Sequence, residues 1–301
     1  MLRIDLLIHG RDIGRKIREA RTIKLLCIKG SSMFIVNIEY PGTWLEFPDK
    51  NKAFEIKNLI SSMETAVIDM AITLTMFIEC QQKNQEEYSS DTMRDSWELD
   101  RQLRMRIEQE YRAALPNEND FYNNHDYHRT ETEKLYRKEK LNSGEIPRSY
   151  KHRISFIHAH SFLSSADTFS KYLSVLADET ELAHVKNLKK QLEDTFPSLS
   201  KIRNSAQHSE DRSRGYGKPA DVRKKVKMDL KPIDNGFIKA EGGGVLALSN
   251  LNGNRLGYTI DDGTYQEFEI SQNTLGVVAD LFQHLINGFQ WTGPVEISPH
   301  I

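Results

Sequence analysis

The sequence predicts an α+β protein, with a helical bundle between N-terminal strands and a C-terminal antiparallel sheet. Short apolar runs separated by turn residues fill the first fifty positions, and helical periodicity then dominates as far as about residue 215. Short runs return after residue 216 and end in one more helix. We therefore expect a β-rich segment at 1–50, a helical domain at 51–215, and a β-rich domain with a terminal helix at 216–301.

Composition limits the classes of function. The chain has 301 residues, with 41 basic and 43 acidic side chains and a formal net charge of −2, so no overall charge draws it to nucleic acid. Cys27 and Cys80 have neither the number nor the spacing of a disulfide framework or metal site, which is typical of a reducing cytosol. The longest apolar stretch, 65–80, contains Asp69 and Glu79 and is shorter than the ~20 residues a bilayer requires. With no secretory signal predicted either, we expect a soluble, cytoplasmic protein without a membrane partner.

The first predicted elements are a hairpin and a long helix. The run "IKLLCI" leads through Gly30-Ser31-Ser32 to "MFIVNIEY", which favours two strands joined by a tight link. From Phe54 to about Gln82, apolar residues recur at steps of four and three, and this pattern predicts an amphipathic helix with a heptad-like seam. The seam consists of Ile56, Ile60, Met63, Val67, Met70, Leu74 and Phe77. It can pack against a helix of the same chain or against a second subunit.

The middle of the chain alternates helices with one polar stretch. A helix is predicted from Thr92 to Leu115, stopped by Pro116. Residues 116–150 lose all periodicity and are predicted to form a long loop or mobile insertion. We interpret the two histidines within it, His125 and His128, as solvated loop residues, because no cysteine completes a metal-binding set.

Three more helices and a sheet follow this stretch. Helical periodicity resumes at Arg153 and ends near Ala177, and a second helix starts around Glu181. A third is expected to end near Ser209. In the β-rich region, Asp261-Asp262-Gly263 predicts a tight hairpin turn, and a last helix is predicted from Gln272 to about Gln290. The run "GGGVLAL" leads into a strand rather than a helix, so we interpret it as a flexible turn and not as a phosphate loop.

The candidate site lies in "SLSKIRNSAQHSEDRSRGYG", residues 198–217. Asn204 and His208 are four residues apart and share one face of a helix, and Arg203 can reach the same groove. The apolar residues of this helix, Leu199, Ile202 and Ala206, form a stripe aimed at the core. The polar trio is therefore expected along the exposed edge.

These side chains suit the attack of a ribose 2′-hydroxyl on its neighbouring phosphate. A histidine can remove or supply the proton, and an arginine can grip the phosphoryl oxygens and stabilise the charge that develops. Asn204 can orient either partner. This chemistry requires no metal, and we predict no cofactor.

The segment R-N-S-A-Q-H, residues 203–208, resembles the motif of the HEPN superfamily, and the similarity extends over roughly residues 52–212. The resemblance implies a metal-independent endoribonuclease, with Arg203 and His208 catalytic and Asn204 supporting them. Members are often toxins, antiviral effectors or RNA-processing enzymes, and two copies of the motif meet across a homodimer interface. One departure is Glu210, which stands where HEPN toxins paired with a nucleotidyltransferase antitoxin carry a modified tyrosine.

A basic segment beside the motif predicts RNA as the partner, because such side chains give salt-dependent affinity for phosphates. The predicted RNA contacts are Arg212, Arg214, Lys218, Arg223, Lys224 and Lys225. The alternative is a solvated charge run. An antitoxin or regulatory protein is a further candidate partner. The rival functions are a non-catalytic HEPN-like module that binds RNA or protein, and an assembly protein that associates through the seam.

Overall fold

The computed structural model describes residues 25–27, 33–87, 90–217 and 226–300. The α+β class is confirmed, because long helices occupy the middle of the chain and short antiparallel strands occupy both ends. The N-terminal strands are β1 (Leu25–Cys27), β2 (Phe34–Val36), β3 (Ile38–Tyr40) and β4 (Trp44–Glu46). Strands β1 and β2 pair antiparallel with Leu25 opposite Val36, as the predicted hairpin requires. The Gly-Ser link of that hairpin lies outside the described residues.

The helices follow in chain order: α1 (Lys50–Glu87), α2 (Ser90–Ala113), α3 (Glu118–Asn123), α4 (His125–Asn142), α5 (Arg148–Thr180), α6 (Ala183–Thr195), α7 (Leu199–Gln207) and α8 (Ser209–Arg212). All seven seam residues of α1 are at most 2 % exposed, so the seam is buried within the chain and does not offer itself to a second subunit. Among the described residues, α1 is the one helix long and apolar enough to cross a membrane. Its buried seam is consistent with the core helix of a soluble protein.

The prediction of a loop at 116–150 is wrong, because α3, α4 and the start of α5 occupy most of that stretch. Helix α4 packs against α2. Partly exposed ion pairs also join the two helices, with Glu133 and Glu139 of α4 paired to Arg104 and Arg106 of α2. The buried residues of α4 are His128 and Tyr136, eight positions apart, so the helix has no continuous apolar stripe and hydrophobic periodicity could not reveal it.

The interpretation of His128 as a solvated histidine is also wrong, since its side chain is buried. Its Nδ1 lies 2.8 Å from the Tyr111 hydroxyl of α2, and its Nε2 lies 3.2 Å from Asp120 Oδ2 of α3. His128 therefore ties α4 to both neighbours. His125 is exposed, as expected.

The C-terminal elements are β5 (Ile233–Asp234), β6 (Lys239–Ala240), β7 (Asn250–Asn252), β8 (Arg255–Thr259), β9 (Tyr265–Glu269), α9 (Gln272–Asn287), β10 (Gln290–Thr292) and β11 (Glu296–Ser298). Strands β7, β8 and β9 form an antiparallel sheet in that order. The predicted hairpin turn joins β8 to β9, with Gly263 at φ +86°. A Cβ there would lie 2.0 Å from the Asp229 carbonyl oxygen, so both the backbone angle and the space require glycine.

The two ends of the chain pair with each other. Strand β11 pairs antiparallel with β3, and β10 pairs antiparallel with β4. Side chains reinforce the pairing: Tyr40 of β3 packs edge-on against Trp291 of β10, with ring centroids 5.5 Å apart. Residues 290–298 therefore supply the pairing partners of β3 and β4, which their local sequence does not predict.

The chain divides into two compact units, each built from separate segments. The described parts of residues 1–71, 168–197 and 272–301 form one unit, and 72–167 with 198–271 form the other. This division does not follow the expected boundaries near 50 and 215, because the terminal strands pair and because α1 and α5 each supply residues to both units. Every residue of the R-N-S-A-Q-H segment belongs to the second unit.

Candidate functional site

Helix α7 carries residues 203–207 of the motif and packs against strands β8 and β9. Leu199 and Ile202 are buried and Ala206 is half-buried, so the predicted apolar stripe holds the helix in place. At its N-terminus, the Ser198 hydroxyl donates to Gln266 Oε1 of β9, at 3.0 Å. The helix is thus fixed to the sheet by apolar packing and by this hydrogen bond.

Arg203 is held by a buried carboxylate that lies outside the predicted trio. Its Nε lies 3.2 Å from Oδ2 of Asp167 on α5, and the side chains are 23 % and 1 % exposed. The two atoms are not aligned as a hydrogen bond, so the contact is an ion pair. The other carboxylate oxygen, Oδ1, accepts a hydrogen bond from the Ser200 hydroxyl at 2.8 Å.

Two sequence signals point to this pair. Asp167 is an acidic residue inside the apolar stripe of α5, directly after Ala166, where an unpaired carboxylate would be costly to bury. Arg203 follows Leu199 by four residues, which places it next to the buried face of α7 rather than on the open edge. Neither signal identifies the partner, because the contact joins two helices.

Asn204 lies beside the guanidinium on the exposed side. Its Oδ1 accepts from Arg203 Nη1 at 3.4 Å, which is long for a hydrogen bond. Asp167 pairs with Nε, and the long contact to Asn204 is the one hydrogen bond that Nη1 or Nη2 makes to a described residue. The edge formed by Nη1 and Nη2 is the one with which a guanidinium can grip two oxygens of a phosphate.

His208 lies at the junction of α7 and α8, where the backbone leaves helical geometry at φ −96° and ψ 42°. Its side chain is 62 % exposed, with Nδ1 3.7 Å from Glu210 Oε1. The backbone N–H of His208 still donates to the Asn204 carbonyl at 2.9 Å, so the expected four-residue relation is present in the main chain. Within the described ranges, no hydrogen bond or ion pair joins the imidazole to Arg203 or Asn204.

The predicted RNA contacts divide into three groups. Arg212 is buried and donates to Ser205 Oγ and to the Tyr216 carbonyl, so its guanidinium does not face a surface ligand, and this prediction is corrected. Arg214 is exposed, pairs with Asp211 Oδ1 at 2.6 Å and lies over the ring of Tyr216. The remaining predicted contacts lie outside the described residues: Lys218, Arg223, Lys224 and Lys225.

Another exposed lysine of the basic segment lies beside Arg214, and its ammonium donates to the Arg214 carbonyl. Lys227 is exposed, and its Nζ is 4.4 Å from the centroid of the Tyr216 ring, which also carries Arg214. The backbones of Tyr216 and Lys227 form an antiparallel bridge. Lys227 follows Tyr216 by eleven residues, and this bridge places it close to the end of α8.

A second histidine of this unit has partners of its own. His160 Nε2 on α5 lies 2.7 Å from the Tyr258 hydroxyl and 3.1 Å from Ser249 Oγ. Burial, and to a lesser extent the charge of Arg153, lowers the pKa of His160. The part of the chain that the structure describes holds no group of three or more His, Cys, Asp or Glu side chains placed to bind a metal ion.

No family model, curated protein or solved structure matches this chain. The resemblance to the HEPN superfamily therefore stands on the R-N-S-A-Q-H segment and its helical setting. Any functional conclusion therefore depends on the structure around that segment.

Proposed function

We propose that this protein is a metal-independent endoribonuclease of the HEPN type that cleaves RNA through attack of a ribose 2′-hydroxyl. The main support for this proposal is the set of contacts made by the Arg203 guanidinium. Asp167 pairs with its Nε, while its Nη1 makes a long hydrogen bond to the exposed Asn204. A guanidinium that is held at Nε, and whose Nη edge has one long hydrogen bond, suits a phosphate clamp.

His208 supplies the proton chemistry in this proposal. The 2′-oxygen attacks phosphorus and loses its proton to an imidazole, the bond from phosphorus to the 5′-oxygen breaks, and that oxygen takes a proton from a second imidazole. The products are a 2′,3′-cyclic phosphate and a 5′-hydroxyl. Arg203 stabilises the negative charge on the non-bridging oxygens, and Asn204 orients the guanidinium through its Oδ1.

The second imidazole is the partner subunit's His208 in a symmetric homodimer. One copy of the motif offers one exposed histidine, whereas in-line displacement uses a group at each of the two reacting oxygens. The buried seam of α1 does not provide this contact, so we propose that the exposed face around His208 meets its own copy. We further propose that the protein is a cytoplasmic defence, toxin or stress effector, controlled by an antitoxin or another regulatory protein.

The alternative is a non-catalytic HEPN-like module that binds RNA or protein. The Arg203–Asp167 pair supports this reading as well, because a buried ion pair is also what a purely structural arginine forms. The two hypotheses differ in the role of His208: the nuclease requires its imidazole for proton transfer, whereas the binding module does not. This side chain is exposed and packs into no core.

The test is cleavage of RNA by the purified full-length chain and by His208→Ala. The wild type should cut RNA, leave DNA of the same sequence whole, keep its rate in a chelator, and leave 2′,3′-cyclic phosphate ends. His208→Ala should lower the rate ~10²–10⁴-fold. His300→Ala, which changes another exposed histidine far along the chain, is the matched control. Equal cleavage by wild type and His208→Ala would refute the catalytic role, and binding of RNA without cleavage would favour the module.

A further inference from the structure

The segment that presents His208 is short and needs an external support. Helix α8 has four residues and is too short to be stable alone. His208 precedes it with non-helical backbone angles and with no side-chain cap. The direction of the imidazole therefore depends on whatever fixes α8 relative to α7.

The buried side chain of Arg212 spans this junction. Its Nε donates to Ser205 Oγ, 3.3 Å away, on the α7 side of His208. Its Nη1 donates to the Tyr216 carbonyl, 2.6 Å away, on the far side of α8. Ser205 is completely buried and lies inside the R-N-S-A-Q-H segment, so Arg212 connects the interior of the motif to the chain that follows it.

Both acceptors are neutral, and among the described residues no carboxylate lies within ion-pair distance of Arg212. Burying a cation without a counter-ion is unfavourable, whereas an apolar side chain of similar size could fill the same space. What a guanidinium adds at this position is a rigid fork of donors that reaches two acceptors at once. Its geometry points to a role in fixing the junction rather than in simple packing.

We infer that Arg212 is the positioning residue of the proposed site: it locks the α7–α8 junction and so holds the His208 imidazole in place for proton transfer. This inference rests on the proposed function, but the ordering of His208 can be measured whether or not the protein cleaves RNA. Arg212 touches no substrate in this role. It acts through Ser205 and the main chain on either side of His208.

The experiment compares wild type with Arg212→Met, Arg212→Lys and the control Arg129→Met, which changes an exposed arginine on α4. Backbone ¹⁵N relaxation should give a His208 order parameter near 0.85 in wild type and below ~0.6 in Arg212→Met. In RNA cleavage, kcat of Arg212→Met should fall about 10²-fold with little change in KM, since misplacement of a reacting group by ~1 Å costs this much. Arg212→Lys should lie between them, because an ammonium cannot keep both bonds in fork geometry.

The two readouts separate the possible failures. If the His208 order parameter is unchanged in folded Arg212→Met, the positioning role is overturned, whatever happens to cleavage. If wild type orders His208 through Arg212 yet cuts no RNA, the proposed function fails and the positioning of His208 stands. If Arg212→Met does not fold, Ser205→Ala replaces it as the test variant, because it removes only the acceptor of the Arg212 Nε hydrogen bond. The His208 order parameter is then measured in Ser205→Ala.

Discussion

Replacing Arg203 by alanine should destabilise the fold as well as the proposed chemistry. The change removes the cation that faces the Asp167 carboxylate at 3.2 Å, inside the second compact unit. At that separation, and with an effective dielectric constant near 20, the gross attraction is on the order of 5 kcal/mol. Arg203 is partly solvated and Ser200 still donates to Asp167, so the net loss should be smaller. We expect Arg203→Ala to lower the free energy of unfolding by about 2–3 kcal/mol, below the 3–5 kcal/mol typical of a fully buried pair.

The assay is urea denaturation of wild type, Arg203→Ala, Asp167→Asn and the double variant. Because the two side chains interact directly, the double variant should lose less than the sum of the single losses, with a coupling energy of about 1–2 kcal/mol. His208→Ala, which changes an exposed side chain, should stay within about 0.5 kcal/mol of wild type. Additive single losses, or an Arg203→Ala protein as stable as wild type, would refute the ion-pair argument. If the pair behaves as expected, loss of cleavage in Arg203→Ala cannot by itself be read as loss of catalysis.

Three further predictions concern RNA, the dimer and pH. Alanine at Arg214 or Lys227 should weaken RNA binding and reduce the slope of log affinity against log salt by about 0.7 each, and an unchanged slope in filter binding would exclude the phosphate contact. Excess folded His208→Ala protein should suppress wild-type cleavage by forming hybrid sites, and specific activity should fall on dilution; a monomer that still cleaves RNA contradicts the composite site. Burial lowers the pKa of His160 in the folded state. Below the ordinary histidine pKa of about 6.5, the unfolded chain therefore binds more protons than the folded chain, and the free energy of unfolding should fall as the pH drops through that value. His160→Gln should show a shallower fall in urea denaturation between pH 7.5 and 5 than wild type, and parallel curves would show that His160 contributes nothing.

The sequence predicted those elements whose stability comes from apolar side chains at helical spacing. The seam of α1 and the stripe of α7 were found because burial imposes a period that can be read locally. Helix α4 was missed because its buried residues are His128 and Tyr136, and two such positions do not make an apolar period. The pairing of β10 and β11 with the N-terminal strands was missed because their partners lie some 250 positions away, beyond the reach of any local pattern.

At the candidate site, the residue types indicated which chemistry is possible, but the sequence did not predict which side chains are buried and which are exposed. The sequence predicts surface roles for Arg203 and Arg212, yet the first pairs with a buried carboxylate and the second is itself buried. Helical spacing separates Arg203 from the exposed Arg214, because Arg203 is four residues after Leu199 and so lies next to the buried face of α7. It does not separate Arg212, which lies beyond His208, where the backbone leaves helical geometry. The partners of Arg203 and Arg212, however, are set by contacts with α5 and with the chain after α8, which spacing cannot supply.

These placements change what the motif segment can do by itself. Arg203 is half-buried and anchored, His208 is exposed, and no contact joins the two within the described residues. His160 of the same unit is occupied by Tyr258 and Ser249. In the proposed mechanism, the described residues of one subunit supply one phosphate contact, Arg203, and one exposed imidazole, His208, whereas in-line cleavage uses a group at each reacting oxygen. A second imidazole from a partner subunit would complete that pair, so the proposed mechanism ties cleavage to the dimer, and a specific activity that does not change on dilution would contradict it.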